Sequence, residues 1–197
     1  MARITIPETG RRLDDPQEIT AFLAPFGITY ERWDVGRRVH PDASSEEILA
    51  AYAPEVEQLK HRGGYVTADV INVTPEVPNL EAMLERFRKE HTHAEDEVRF
   101  IVKGRGIFHI HPANAPVFAL QIEAGDLINV PAGTRHWFDL CAERVIRAIR
   151  LFQDQSGWTP HYVDNPVNAR FQPVCWGPTD IPPQGRVTPA ATVIRVR

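Results

Sequence analysis

Between residues 91 and 152 the chain is cut into short apolar runs of a length that suits strands. Glu97–Lys103, Ile107–His111, Val117–Glu123, Asp126–Val130, His136–Leu140 and Arg144–Phe152 each span five to nine residues. Gly104-Arg-Gly106, Pro112, Pro116, Gly125 and Pro131-Ala-Gly133 separate them. Many short β runs with this punctuation argue for a jelly-roll or barrel. The expected fold is therefore mainly β.

The flanks read differently. In residues 1–90, Asp15-Pro16-Gln-Glu18 supplies an N-cap, a first-turn proline and a capping-box Glu, for a helix reaching about Ala24. Ile28–Val35 reads as a strand, and Ser44-Ser-Glu-Glu47 is a second capping box. Pro54 interrupts the pattern that follows, predicting a kink or two short helices that stop at Gly63-Gly64. Tyr65–Val73 is a strand, and Asn79 caps a helix whose Leu80, Met83, Leu84 and Phe87 form one stripe. Prolines at 160, 166, 173, 178, 182, 183 and 189 make residues 153–197 a meandering cover, its last part loosely ordered. The whole, 1–197, is expected to be one domain: an α/β part (1–90), a barrel core (91–152) and the cover.

Composition excludes several function classes. A formal charge of −4 offers no basic face for nucleic acid, and no apolar run approaches the ~18 residues of a membrane span. The start, Met1-Ala-Arg-Ile-Thr-Ile-Pro, has no apolar signal core. Cys141 and Cys175 are too few for a disulfide framework and are expected to stay reduced, in the cytoplasm.

Chemistry concentrates in His91-Thr-His93-Ala-Glu-Asp96-Glu97-Val-Arg99-Phe100. On an extended strand, positions 91, 93, 97 and 99 share a face. Two imidazoles and a carboxylate on one face are three ligands for a divalent transition metal, and His136, after the Pro131-x-Gly133 turn, is a fourth. Three nitrogens and one oxygen favour Fe(II), Ni(II), Mn(II) or Co(II) over Ca or Mg. Arg99 shares the face of Glu97, and Arg150 is a second cation in an apolar strand; Arg147 is expected on the opposite, solvated face. A buried guanidinium calls for an anion, which an anionic substrate would supply. His109-Ile-His111 lacks a carboxylate at ligand spacing and is expected at a hairpin end, away from metal.

The paired motifs resemble those of the cupin superfamily: His-x-His-x3-Glu-x6-Gly (His91, His93, Glu97, Gly104) and Gly-x5-Pro-x-Gly-x2-His (Gly125, Pro131, Gly133, His136). Two positions depart, with no Gly six residues before His91 and Leu140 where many cupins have Asn. The resemblance implies a double-stranded β-helix barrel. Glu90–Phe100, Asp126–Asp139, and Ala148–Phe152 with Gly157-Trp158, resemble more closely the signature of bacterial acireductone dioxygenases, over about residues 65–172.

That resemblance implies O2-dependent cleavage of 1,2-dihydroxy-3-keto-5-methylthiopentene in methionine salvage, by a monomer with one Fe(2+) or Ni(2+) per chain. The Fe form would give 4-methylthio-2-oxobutanoate and formate. The Ni form would give 3-methylthiopropionate, formate and carbon monoxide. His91, His93, Glu97 and His136 carry over as ligands, and Arg99 and Arg150 as groups favouring the substrate dianion. Phe87, Phe100, Phe138 and Trp158 match the aromatic lining, while Glu90 and Asp96 match positions linked to metal incorporation and conformational coupling. The alternatives are another cupin dioxygenase or isomerase, which the paired arginines disfavour for a neutral substrate, and a non-catalytic ligand-binding cupin.

Overall fold

A computed structural model describes residues 1–36, 38–40, 42–154 and 159–176. Its centre is one long strand, β6 (Glu97–Ile110), which belongs to two sheets. The sequence reading split this segment at Gly104. The chain instead bends there without breaking. Gly104 has φ +85°, and a Cβ on it would lie 2.0 Å from the Val145 carbonyl oxygen, so only glycine lets β6 turn this close to its neighbour. Gly106 serves the other half, since a Cβ there would strike the Phe138 ring at 2.1 Å.

Before the bend β6 lies in a sheet ordered β4 (Thr67–Val73), β10 (Ile146–Phe152), β6, β8 (Asp126–Val130) and β3 (Thr29–Arg32). After it, β6 lies in a sheet ordered β2 (Arg11–Leu13), β1 (Arg3–Ile6), β7 (Phe118–Glu123), β6, β9 (His136–Leu140), β5 (His91–Thr92) and β11 (His161–Tyr162). Every pairing is antiparallel. Two sheets sharing a strand enclose the barrel interior expected from the short β runs. The strand read at Ile28–Val35 is shorter than expected.

Alternation along β6 sorts the core. Ile101, Phe108 and Ile110 join Phe138, Ile128 and Leu120 in the main core, which α1 (Pro16–Leu23) and α4 (Leu80–Arg88) help close. Val98, Phe100 and Val102 face the other way, against Ile48, Tyr52, Val56 and Leu59 of α2 (Ser45–Ala51) and α3 (Ala53–Gly63). The Ser44–Glu47 capping box forms, Pro54 separates two helices, and Gly64 ends α3 in a left-handed conformation. Asp15 caps α1 through the Gln17 and Glu18 amides. Asn79 occupies its expected position but is itself left-handed (φ 58°) and makes no side-chain cap bond.

Two expectations are corrected. Cys141 and Cys175 are joined in a disulfide, with Cα atoms 5.9 Å apart. It fastens the described tail to the end of β9. Gln121 and Trp176 exchange two hydrogen bonds of 2.6 Å beside it, and Arg12 lies 3.6 Å over the Trp176 ring. Arg147 is buried rather than solvated: it lies on the face of β10 opposite to that of Arg150, as expected, but shares that face with Ile149 and Leu151, which α2 and α3 cover. His109-Ile-His111 does lie at a hairpin end, His109 and Ile110 forming the last pairs of β6 with β7, and His109 stacks on Trp137 at 4.9 Å. Residues 177–197 lie outside the described residues. Among the described residues, no helix is long and apolar enough to cross a membrane.

Candidate metal centre

His91, His93, Glu97 and His136 come together as expected, by a route the sequence did not suggest. Residues 91–99 are not one strand: β5 ends at Thr92, and the chain bends before β6 begins at Glu97. His91 pairs directly with His136 across β5 and β9, while Glu97 opens β6. One ligand atom from each of the four residues lies within 4.8 Å of the others, and all four residues are buried.

The two motifs are stitched by their turns. The Gly133 amide donates to the His93 carbonyl (2.9 Å), and the Ala132 amide to Asp96 Oδ1 (3.0 Å). Asp96 also accepts from the Tyr65 hydroxyl (3.2 Å), so it locks the ligand loop onto the barrel. Glu90, 1 % exposed, accepts from the Val167 amide (2.7 Å) and meets His111 Nδ1 at 2.6 Å and Arg135 Nε at 2.9 Å.

The imidazoles are oriented for ligation. His91 Nδ1 donates to the Lys89 carbonyl at 2.5 Å, His93 Nδ1 to Thr159 at 3.1 Å and His136 Nδ1 to Thr134 at 2.8 Å. A carbonyl can only accept, so each Nδ1 carries the proton and each Nε2 is the free ligand atom. Glu97 Oε2 lies 2.8 Å from His136 Nε2 and 3.3 Å from His93 Nε2. A neutral imidazole with its Nδ1 proton committed turns only a lone pair toward that carboxylate. A divalent cation satisfies every one of these donors, so the residues fit a metal.

Electrostatics agree. Burial, with His136 and His93 nearby, holds His91 down at about 4, hence neutral at pH 7. Burial alone would raise Glu97, but the charge of the Arg99 guanidinium opposes it and the carboxyl is held well below its usual range. With each Nδ1 donating to a backbone carbonyl, the set turns three nitrogen lone pairs and one carboxylate inward.

Arg99 and Arg150 are direct partners across β6 and β10, with Asp69 next in the same row on β4. Two cations face to face repel. Each has its own counter-charge: Arg99 Nε lies 2.6 Å from Glu97 Oε1, and Arg150 grips Asp69 with bonds of 2.8 and 2.6 Å. Arg99 also lies 4.9 Å over the Phe138 ring.

These groups line a cavity of about 220 Å³ with Phe87, Arg86, Pro160 and Tyr162. Phe87 and Phe138 are thus where the aromatic lining was expected. Phe100 is not: one residue past Arg99, it faces the opposite side of the sheet, against Trp33 (4.7 Å) and Tyr52 (4.8 Å). Trp158 lies outside the described residues. Asp69, Arg86, Pro160 and Tyr162 were missed. Asp69 left a signal, the one charged residue in β4; Tyr162 sits on a two-residue strand that has no periodicity to read.

Three imidazoles and a carboxylate converging inside an antiparallel double-sheeted barrel define a metal-binding cupin. The model of the ARD/ARD' family matches residues 8–160, and the chain belongs to that family. It is 44% identical over 176 residues to an acireductone dioxygenase of Methylococcus capsulatus, covering 87% of this chain and 94% of the relative. A Picosynechococcus acireductone dioxygenase is 42% identical over 167 residues, covering 85% and 95%. Among solved structures, acireductone dioxygenase from Bacillus anthracis, with a cadmium ion in its active center, superposes with a TM-score of 0.78. It is 39% identical and covers 82% of this chain and 98% of that one.

Proposed function

We propose that this chain cleaves an acireductone, 1,2-dihydroxy-3-keto-5-methylthiopentene, with O2, using one Fe(2+) or Ni(2+) held by His91, His93, Glu97 and His136. The observation that carries the reading is the three-imidazole, one-carboxylate set with a buried guanidinium 2.6 Å from its carboxylate. Kinship with proteins named acireductone dioxygenase supports the substrate. We also infer a monomer acting in methionine salvage in the cytoplasm.

A bound divalent ion supplies Lewis acidity, which lowers the cost of ionising an enediol whose oxygens it holds. The protein residues do the rest. Arg99, buried beside the ligands, favours the doubly deprotonated substrate by facing it with a fixed cation where little water screens the charge. Arg150, kept in line by Asp69, extends that positive field toward the mouth. Phe87 and Phe138 exclude water and receive the apolar tail. Glu90 and Asp96 act at a distance from the substrate, holding the ligand loop and the turn before His136 in register.

The Fe(2+) form is expected to give 4-methylthio-2-oxobutanoate and formate, the Ni(2+) form 3-methylthiopropionate, formate and carbon monoxide. The test is anaerobic loading with each metal in turn, addition of the acireductone and O2, and assay of the products. Carbon monoxide from the nickel protein alone supports the assignment. Absence of O2 uptake with both metals overturns it.

A further inference from the structure

The cavity over the metal group has a floor and a mouth of different chemistry. Glu97, His136, Phe138, His91, Arg99 and His93 form the floor, none more than 8 % exposed. At the mouth stand Arg86 and Phe87 of α4 with Pro160 and Tyr162 of the β11 segment, and Tyr162 is 46 % exposed. The floor offers ligands and charge. The mouth offers two ring faces and a proline.

We propose that Tyr162 is a specificity-determining wall for the apolar tail of the substrate, setting how far a chain beyond the chelating oxygens is favoured. The inference rests on the acireductone reading above and goes beyond it in naming the residue that measures the tail. A molecule whose oxygens reach the floor sends the rest of its length toward the mouth, where Phe87 and Tyr162 stand.

The tyrosine ring is held in place for this. Its backbone pairs with His91, so the strand that carries a ligand braces the strand that carries this wall. The ring meets the His91 ring edge-on at 6.0 Å. Its hydroxyl lies 3.5 Å from the Arg86 carbonyl, which ties β11 to the last turn of α4. The Val163 amide donates to the Glu90 carbonyl (3.2 Å), fixing the residue that follows. A ring restrained by its backbone and its hydroxyl loses little freedom when a tail covers its exposed face.

The experiment uses the full chain loaded anaerobically with Fe(2+). O2 uptake gives kcat/KM across acireductones whose tails are straight alkyl groups of increasing length. For the wild type, kcat/KM is expected to rise about fourfold per methylene while the tail is within reach of the ring. Tyr162→Ala is expected to flatten that rise, chiefly through KM for the longer tails, at the same bound metal per chain. Tyr162→Phe should restore the slope. Tyr162→Trp, which keeps an aromatic ring should the alanine variant fail to fold, is expected to move the end of the rise to shorter tails. An unchanged tail-length profile in the Ala and Trp variants, with the wild type active, overturns the role of Tyr162 and leaves the acireductone reading standing. No turnover of any acireductone by the wild type with Fe(2+) or Ni(2+) overturns both.

Discussion

His91 and His136 face each other across β5 and β9, their ring centroids 4.6 Å apart. Forty-four residues of chain lie between them, and the pairing of β5 with β9 sets the two imidazoles side by side. Replacing His136 by Ala is expected to cost more than the ~10–100-fold that loss of a supporting hydrogen-bond partner costs a metal site. Metal analysis of the purified variant should find the site essentially empty and O2 uptake lost. Full metal content with O2 uptake retained would remove His136 from the site.

Arg99 lies under Glu97 and over Phe138, where a planar guanidinium fits and an ammonium does not reproduce its geometry. Arg99→Lys should retain metal while kcat falls by roughly 10²-fold, the scale of losing one preorganised electrostatic donor. Equal rates for variant and wild type would contradict a substrate role.

Asp69 holds Arg150 by two hydrogen bonds directly across the strand pair. Asp69→Asn keeps the shape but removes the counter-charge, leaving Arg150 to face Arg99 without it. A several-fold loss in kcat/KM at unchanged metal content is expected; roughly 1 kcal/mol is the scale for a partly exposed pair. Steady-state kinetics at low salt measure it, and an unaltered kcat/KM would show that Arg150 needs no such restraint.

Burial holds the His109 imidazole at about 4, below the ordinary 6.5. Between those values the unfolded chain binds the proton and the fold does not. The contribution is fully present above pH 6.5 and is lost as the pH falls toward 4, by about 3 kcal/mol over the whole window. Denaturant titrations in the presence of a chelator should find wild type losing more stability than His109→Phe between pH 7 and pH 4.5. Equal losses would mean that the imidazole is not held neutral.

The Cys141–Cys175 disulfide spans 34 residues of chain. Constraining a loop of that length in the unfolded state stabilises the fold by about 3–4 kcal/mol in the chain-entropy account. Denaturation midpoints measured with and without a dithiol reductant should differ accordingly. Coincident midpoints would contradict the linkage.

Much of the metal group was legible because ligation imposes fixed offsets: His91, His93 and Glu97 keep theirs although the strand beneath them is broken. The barrel strands were legible from Gly and Pro punctuation, with one misreading. Gly104 has the positive φ of a turn, yet here it bends a strand that keeps its partners. Phe100 was placed in the pocket by resemblance, against the two-residue period that puts it opposite Arg99. Neither the Cys141–Cys175 pairing nor the position of Tyr162 follows from local pattern. Both depend on where the tail docks, which is decided by long-range contacts such as those of Trp176 with Gln121 and Val167 with Glu90.

The central claim is that the four-residue group makes this chain a metal-dependent dioxygenase, and O2 uptake with acireductone before and after metal removal tests it most directly. Chelator-stripped protein should consume no O2 above the non-enzymatic rate, and stoichiometric Fe(2+) or Ni(2+) should restore turnover to the wild type but not to His136→Ala. Turnover by the stripped protein, or restoration in the His136→Ala variant, would contradict it.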